Sequence, residues 1–111
     1  MFRDTTRANI FSVPDFHDLN TWKNSDYVYI GRQSPLLPCK ESRFHNPYDI
    51  ETYGRDLCLE MYQDHFIINK LDNYLYELRE KILCCWCEDQ QSCHADYLIN
   101  QIYKQYETFI K

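Results

Sequence analysis

The chain has 111 residues, 44% of them hydrophobic and 16% aromatic, with a formal net charge of −5. That length suits one domain with a core of two or three layers, and the hydrophobic share excludes global disorder. The acidic balance (pI near 5.2) removes the general pull toward phosphate backbones on which nucleic-acid binders depend, and two glycines leave no glycine-rich phosphate loop.

In chain order, residues 9–13 form a short β-prone run that Pro14 stops, and polar, turn-rich sequence continues to Asp26. Residues 27–30 are β-branched and aromatic and end at Gly31 and Arg32, which predicts a strand. Residues 33–53 hold three prolines and show no period, so they read as a long ordered loop, a kind of segment that more often serves function than idles. Between 55 and 69, Leu57, Cys58, Met61, Tyr62, Phe66 and Ile67 recur at helical spacing. After a break at Asn69 and Lys70, the same spacing continues through Leu71, Tyr74, Leu75 and Leu78. Residues 81–86 make an apolar run too short for a helix and read as a buried strand. Ser92 is the predicted N-cap of a last helix with an apolar stripe of Leu98, Ile99, Ile102, Tyr103, Tyr106, Phe109 and Ile110. A buried strand flanked by helices implies crossover connections. The predicted fold is therefore α/β: a small, mainly parallel sheet of three or four strands with helices packed on it, Rossmann-like, in a single domain over residues 1–111.

No apolar run reaches membrane-spanning length, and the first residues lack the apolar core and cleavage site of a signal peptide, which predicts an intracellular, non-secreted protein. In a reducing compartment the six cysteines are thiols, metal ligands or catalytic groups rather than disulfides. Four of them fall between Cys84 and Cys93, which marks a local site. If residues 81–86 form a strand, Cys85 and Cys87 share one face and Trp86 takes the other. A five-residue loop then leads to Cys93 and His94 at a helix start, where free N–H groups and the helix dipole attract anions and depress a thiol's pKa. Three readings follow. Cys85, Cys87, Cys93 and His94 suit zinc, although adjacent Cys93 and His94 are not a standard finger spacing. Alternatively, Cys87 or Cys93 acts with His94 and Asp96 as nucleophile and acid/base pair in a small-molecule site. In the third, the thiols are inert core atoms and His94 only starts a helix.

With those residues laid out, the chain resembles domain of unknown function family 4326, found in bacteria, phages and insect large DNA viruses. The resemblance rests on Tyr29-Ile30-Gly31-Arg32, on Ser42-Arg43-Phe44-His45-Asn46-Pro47-Tyr48, on Tyr62 within a helix, and on Leu83-Cys84-Cys85-Trp86-Cys87 followed by Cys93-His94-Ala95-Asp96. It covers roughly residues 9–102 and implies that Cys39, Cys58 and Cys84 are packing residues. A weaker likeness is to another uncharacterised α/β family, with Cys-His-Arg at the helix start where this chain has Cys93-His94-Ala95; an anion contact would then fall to Arg32 or Arg43. The family and a composition rich in Tyr, Asn, Ile and Lys imply a viral source.

The leading functional expectation is a domain that binds or processes a nucleotide-like or other small anionic ligand between the 32–48 loop and the Cys93 helix start. Arg32 and Arg43 would supply charge, Asn46 a polar contact and Pro47 rigidity, while Cys87, Cys93, His94 and Asp96 would carry any chemistry. Asn46-Pro47 also reads as a plain turn signal. The alternative is a zinc- or thiol-stabilised protein-interaction module without catalysis, such as a viral accessory protein. A membrane partner is not expected, and surplus aromatics on the last helix would suit a homodimer.

Overall fold

The computed structural model describes residues 4–23, 25–88 and 91–110, the last three as backbone alone. Among the described residues three strands, β1 (Thr6–Asn9), β2 (Tyr27–Tyr29) and β3 (Ile82–Cys85), form a parallel sheet in the order β1-β3-β2. Ala8 and Tyr29 flank Cys84 from the two sides. Among the described residues four α-helices accompany them: α1 (Leu19–Trp22), α2 (Ile50–Tyr53), α3 (Arg55–Ile68) and α4 (His94–Ile110). The α/β class with helices packed on a small parallel sheet is as the sequence predicts.

Strand alternation divides the core in two. Leu83 and Cys85 point to a face covered by Tyr62 and Phe66 of α3, by Leu71, Leu75 and Leu78, and by Leu98 and Ile102 of α4. Cys84 and Tyr29 point to the opposite face, which Ile10, Val13 and Leu37 fill, with Trp22, Ile82 and Trp86 at its edge. β3 is central because both faces of its side chains find apolar partners, as a buried parallel strand requires.

Several local expectations are corrected. The first strand is residues 6–9, not 9–13. Asn9 ends it by accepting the Phe11 N–H on its side-chain oxygen at 2.8 Å, and residues Ile10–Ser12 form a 3-10 turn. A short polar side chain bonding to nearby backbone competes with the sheet ladder, and Ile10 and Val13 serve as core plugs. The stretch before Asp26 contains α1, capped by Asp18, and the 33–53 stretch ends in α2, whose Asp49 accepts the Glu51 N–H. Gly54, at φ +78°, then separates α2 from α3.

In α3, Cys58, Tyr62 and Phe66 are buried, whereas Leu57 and Ile67, grouped with them by spacing, are exposed. After Lys70, in the left-handed region, residues Leu71–Glu77 wind as a 3-10 helix rather than an α-helix. On α4, Leu98 and Ile102 are buried, Ile99 and Tyr106 pack at the edge and Tyr103 is partly exposed; the side chains of Phe109 and Ile110 lie outside the described residues. Among the described residues no helix is long and apolar enough to cross a membrane.

Candidate functional site

The carboxyl ends of β2 and β3 and the start of α4 meet at a cleft of about 510 Å³. Its walls include Arg32 and Ser34 after β2, Cys85, Trp86 and Cys87 at the end of β3, and Cys93 and His94 at the start of α4. Tyr48, Asp49 and Arg55 also line it. Placement outside strand carboxyl ends is where open parallel sheets bind ligands, and the volume is that of a small-molecule site.

The Sγ atoms of Cys85, Cys87 and Cys93 all lie within 4.8 Å of one another on this wall. Strand alternation brings Cys85 and Cys87 to one face, and the return of the chain into α4 brings Cys93 beneath them. The turn between is fastened from β1: Asn9 Nδ2 donates to the Cys87 carbonyl at 2.9 Å, and Arg7 Nη2 donates to the Glu88 carbonyl at 2.8 Å. A tetrahedral zinc centre with Zn–S near 2.3 Å sets its sulfurs about 3.8 Å apart, so these three are close enough to hold a metal ion.

Proton sharing divides the three thiols. Cys87 is held well below the usual thiol range, because Cys85 and Cys93 donate S–H bonds to its sulfur and Arg55 Nη1 adds a third contact at 3.5 Å. Cys85 and Cys93 are pushed up, mainly by giving those bonds. Arg55 Nη1 also donates to the Ser92 carbonyl at 2.6 Å, so one guanidinium joins the end of β3 to the approach to α4.

His94 stands beside this group rather than within its mutual 4.8 Å spacing. Its Nε2 lies 2.9 Å from the Ile30 carbonyl, which can only accept, so Nε2 carries the proton and Nδ1 keeps its lone pair. That Nδ1 is 3.7 Å from Cys93 Sγ. Burial lowers the His94 pKa and keeps the ring neutral near neutral pH.

The N-cap of α4 is Cys93, not Ser92. The Cys93 sulfur accepts the Ala95 N–H at 3.5 Å, and Asp96 Oδ2 accepts the Cys93 N–H at 3.1 Å, a reciprocal cap. Asp96 also pairs with Arg7 at 2.8 Å and is outside the cleft lining. Its position assigns it to capping and pairing rather than to proton transfer in the cleft.

Of the residues expected to hold a ligand, Arg32 and Asn46 line the cleft, and Arg43 and Pro47 do not. Arg32 braces the loop by donating to the carbonyls of Asn46 and Tyr48 at 2.9 and 2.8 Å. Asn46 accepts the Tyr48 N–H and donates to the Cys58 carbonyl, so the turn role of Asn46-Pro47 accounts for its polar atoms. Arg43 pairs with Glu77 at 3.2 Å and lies over the Tyr74 ring. Gly31 carries a meaning missed in the sequence: a Cβ there would stand 2.4 Å from the Tyr29 hydroxyl, which donates to the Arg32 carbonyl and accepts from Trp86 Nε1. Arg7 and Asn9 were also missed. They act from a strand far away in sequence, and no local signal marks them. For Arg55, its place directly after the glycine that opens α3 was a usable cue.

Fold and site thus define a small α/β domain with a three-thiol cluster on the wall of a ligand-sized cleft. Residues 16–104 match the family described as domain of unknown function DUF4326, and the chain belongs to that family. It is 33% identical over 94 residues to an uncharacterised protein, R718, of Acanthamoeba polyphaga mimivirus; the match covers 74% of this chain and 70% of that relative. No solved structure matches the chain.

Proposed function

We propose that this chain is a zinc-stabilised ligand-binding domain. Cys85, Cys87 and Cys93 hold the metal, His94 Nδ1 completes the tetrahedron, and the adjoining cleft takes a small anionic, nucleotide-like molecule. The observation that carries the reading is the sulfur triangle, three thiols within 4.8 Å drawn from the end of β3, the residues just after it and the cap of α4. His94 fits as fourth ligand for a separate reason: metal-bound histidines usually give their second N–H to a carbonyl or carboxylate, and Nε2 already bonds Ile30 O at 2.9 Å. A tetrahedral edge between sulfur and nitrogen spans about 3.6 Å, close to the 3.7 Å between Cys93 Sγ and His94 Nδ1. Because His94 lies outside the mutual 4.8 Å spacing of the three sulfurs, metal binding would draw its ring toward Cys85 and Cys87. Arg55 supports the charge, since three thiolates around a divalent ion leave one negative charge that its guanidinium offsets. The six cysteines, all free, suit an intracellular setting.

Elemental analysis of protein purified without chelators is expected to give one zinc per chain. Cobalt titration is expected to give the intense visible bands of a tetrahedral thiolate site. Protein that takes up neither metal sinks the zinc reading. For the cleft, adenosine monophosphate is expected to raise the melting temperature of the wild type, and Arg32→Ala to abolish that rise.

A second reading has one observation in its favour. Ile67 and Ile68 at the end of α3 are 66% and 76% exposed, which suits a protein-interaction module, cellular or a second copy of the chain. It shares the metal but predicts no response to nucleotides, so the melting experiment separates the two.

A further inference from the structure

We propose that Cys87 is a hydroperoxide-reactive thiolate whose oxidation links it to Cys93 and expels the metal, making the centre a reversible oxidation switch. The proposal rests on the zinc reading for the metal it expels, and on the thiol geometry alone for the disulfide.

Cys87 is the member of the triangle that is not buried: Cys85 and Cys93 are enclosed, while Cys87 is half-exposed on the cleft wall. A peroxide entering the cleft therefore meets its sulfur first. Arg55 Nη1, 3.5 Å from that sulfur, favours the anionic form that is the nucleophile. The two remaining thiols stand within 4.8 Å, the arrangement of a reactive cysteine with a resolving one beside it. Cys93 is the better resolving partner. Cys85 is fixed in β3, paired with Asn9 across the ladder and with its sulfur turned toward the Ala8 carbonyl at 4.0 Å. Cys93 lies outside the sheet, as the cap of α4, so its sulfur can close to bonding distance without breaking the strand ladder.

The chemistry balances with hydrogen peroxide as the oxidant. The Cys87 thiolate attacks one peroxide oxygen; an S–O bond forms, the O–O bond breaks, and hydroxide leaves. The Cys93 thiolate then attacks the sulfenic sulfur, the S–S bond forms, and the second hydroxide leaves. Two thiolates have each lost one electron to a peroxide reduced to two hydroxides. The metal keeps Cys85 and His94 only, and a two-ligand remnant does not retain it. A thiol reductant reverses the disulfide by exchange.

The test treats zinc-loaded full-length protein with hydrogen peroxide and follows three quantities: zinc captured by a chromogenic chelator, free thiols, and a peptide map of any disulfide. Expected are stoichiometric zinc release, a loss of two thiols per chain, and one Cys87–Cys93 cross-link that dithiothreitol removes together with recovery of zinc binding. In metal-free Cys93→Ser, dimedone is expected to trap a sulfenic acid at Cys87. The peptide map on wild type decides the matter should that variant not fold. A cross-link between other cysteines, oxidation stopping at sulfinic acid in the wild type, or zinc retained through peroxide treatment each overturns the proposal. If the protein binds no zinc, the zinc reading fails by that fact. The cross-link in metal-free protein then decides the oxidation step on its own.

Discussion

Gly31→Ala tests how the cleft rim is built. Gly31 has no positive φ, so its backbone admits any residue, and its constraint is space. An added Cβ would lie 2.4 Å from the Tyr29 hydroxyl, 2.6 Å from Cζ and 2.8 Å from Cε1, where ordinary contact begins at 3.4 Å. The ring must retreat by about 1 Å. Tyr29 is buried, packs edge-on against Trp22 and Trp86, and has a hydroxyl engaged by Trp86 Nε1 and the Arg32 carbonyl. Losing two hydrogen bonds costs about 1 kcal/mol each, and overpacking adds about 1–3 kcal/mol. The sum is about 3–5 kcal/mol, which partial relaxation lowers to about 2–4 kcal/mol, a fall of roughly 10–15 °C in Tm for a domain of this size. Calorimetry measures it, and Trp86 emission, altered by loss of its indole bond, reports the local cause. A Tm equal to wild type with unchanged emission would refute the steric argument.

Three further predictions follow from separate contacts. Arg55→Gln removes the bridge between Cys87 Sγ and the Ser92 carbonyl, and zinc affinity by competition titration should drop about 10–100-fold with the fold retained; unaltered affinity would remove Arg55 from the centre. Tyr62→Phe strips the donor from the buried Phe44 carbonyl, 2.7 Å from the Tyr62 hydroxyl, and urea unfolding should show a loss of about 1–3 kcal/mol; a smaller change means that water replaces the bond. In metal-free native protein at neutral pH, iodoacetamide should label Cys87 first, since its lowered pKa leaves the thiolate populated. Cys84, pushed up to about 12 by burial and by neighbouring Cys85, should stay protonated and unlabelled until the pH approaches that value. Simultaneous labelling of the two would contradict the thiol assignment.

Much of the architecture is legible in the sequence because period and burial agree. The β3 run alternates between two apolar faces, and the Leu98 and Ile102 stripe follows from helical spacing. Most of the misplaced element boundaries lie where a side chain bonds to nearby backbone. Asn9 turns the chain out of β1, Asp18 and Asp49 nucleate single helical turns, and the sulfur of Cys93 takes the cap expected of Ser92. Each is a local bond of about 1 kcal/mol, enough to move an element boundary and too small to show in hydrophobic pattern.

The candidate site divides along similar lines. Cys85, Cys87 and Cys93 were identifiable because a strand's period of two and a short return to a helix start fix where three sulfurs go. The arginines were identifiable only in part: Arg32 lines the cleft as expected, but a guanidinium's role depends on which element packs against it. Arg43 pairs with Glu77 over Tyr74, whereas Arg55, the first residue of α3, reaches Cys87 and Ser92. That difference also bears on chemistry. Arg32 holds its own loop and Asp96 holds Arg7, whereas Arg55 is in direct contact with the sulfur cluster. A cluster anchored in this way is polarised toward Cys87, and it is at Cys87, half-open to the cleft, that metal, oxidant and ligand would compete.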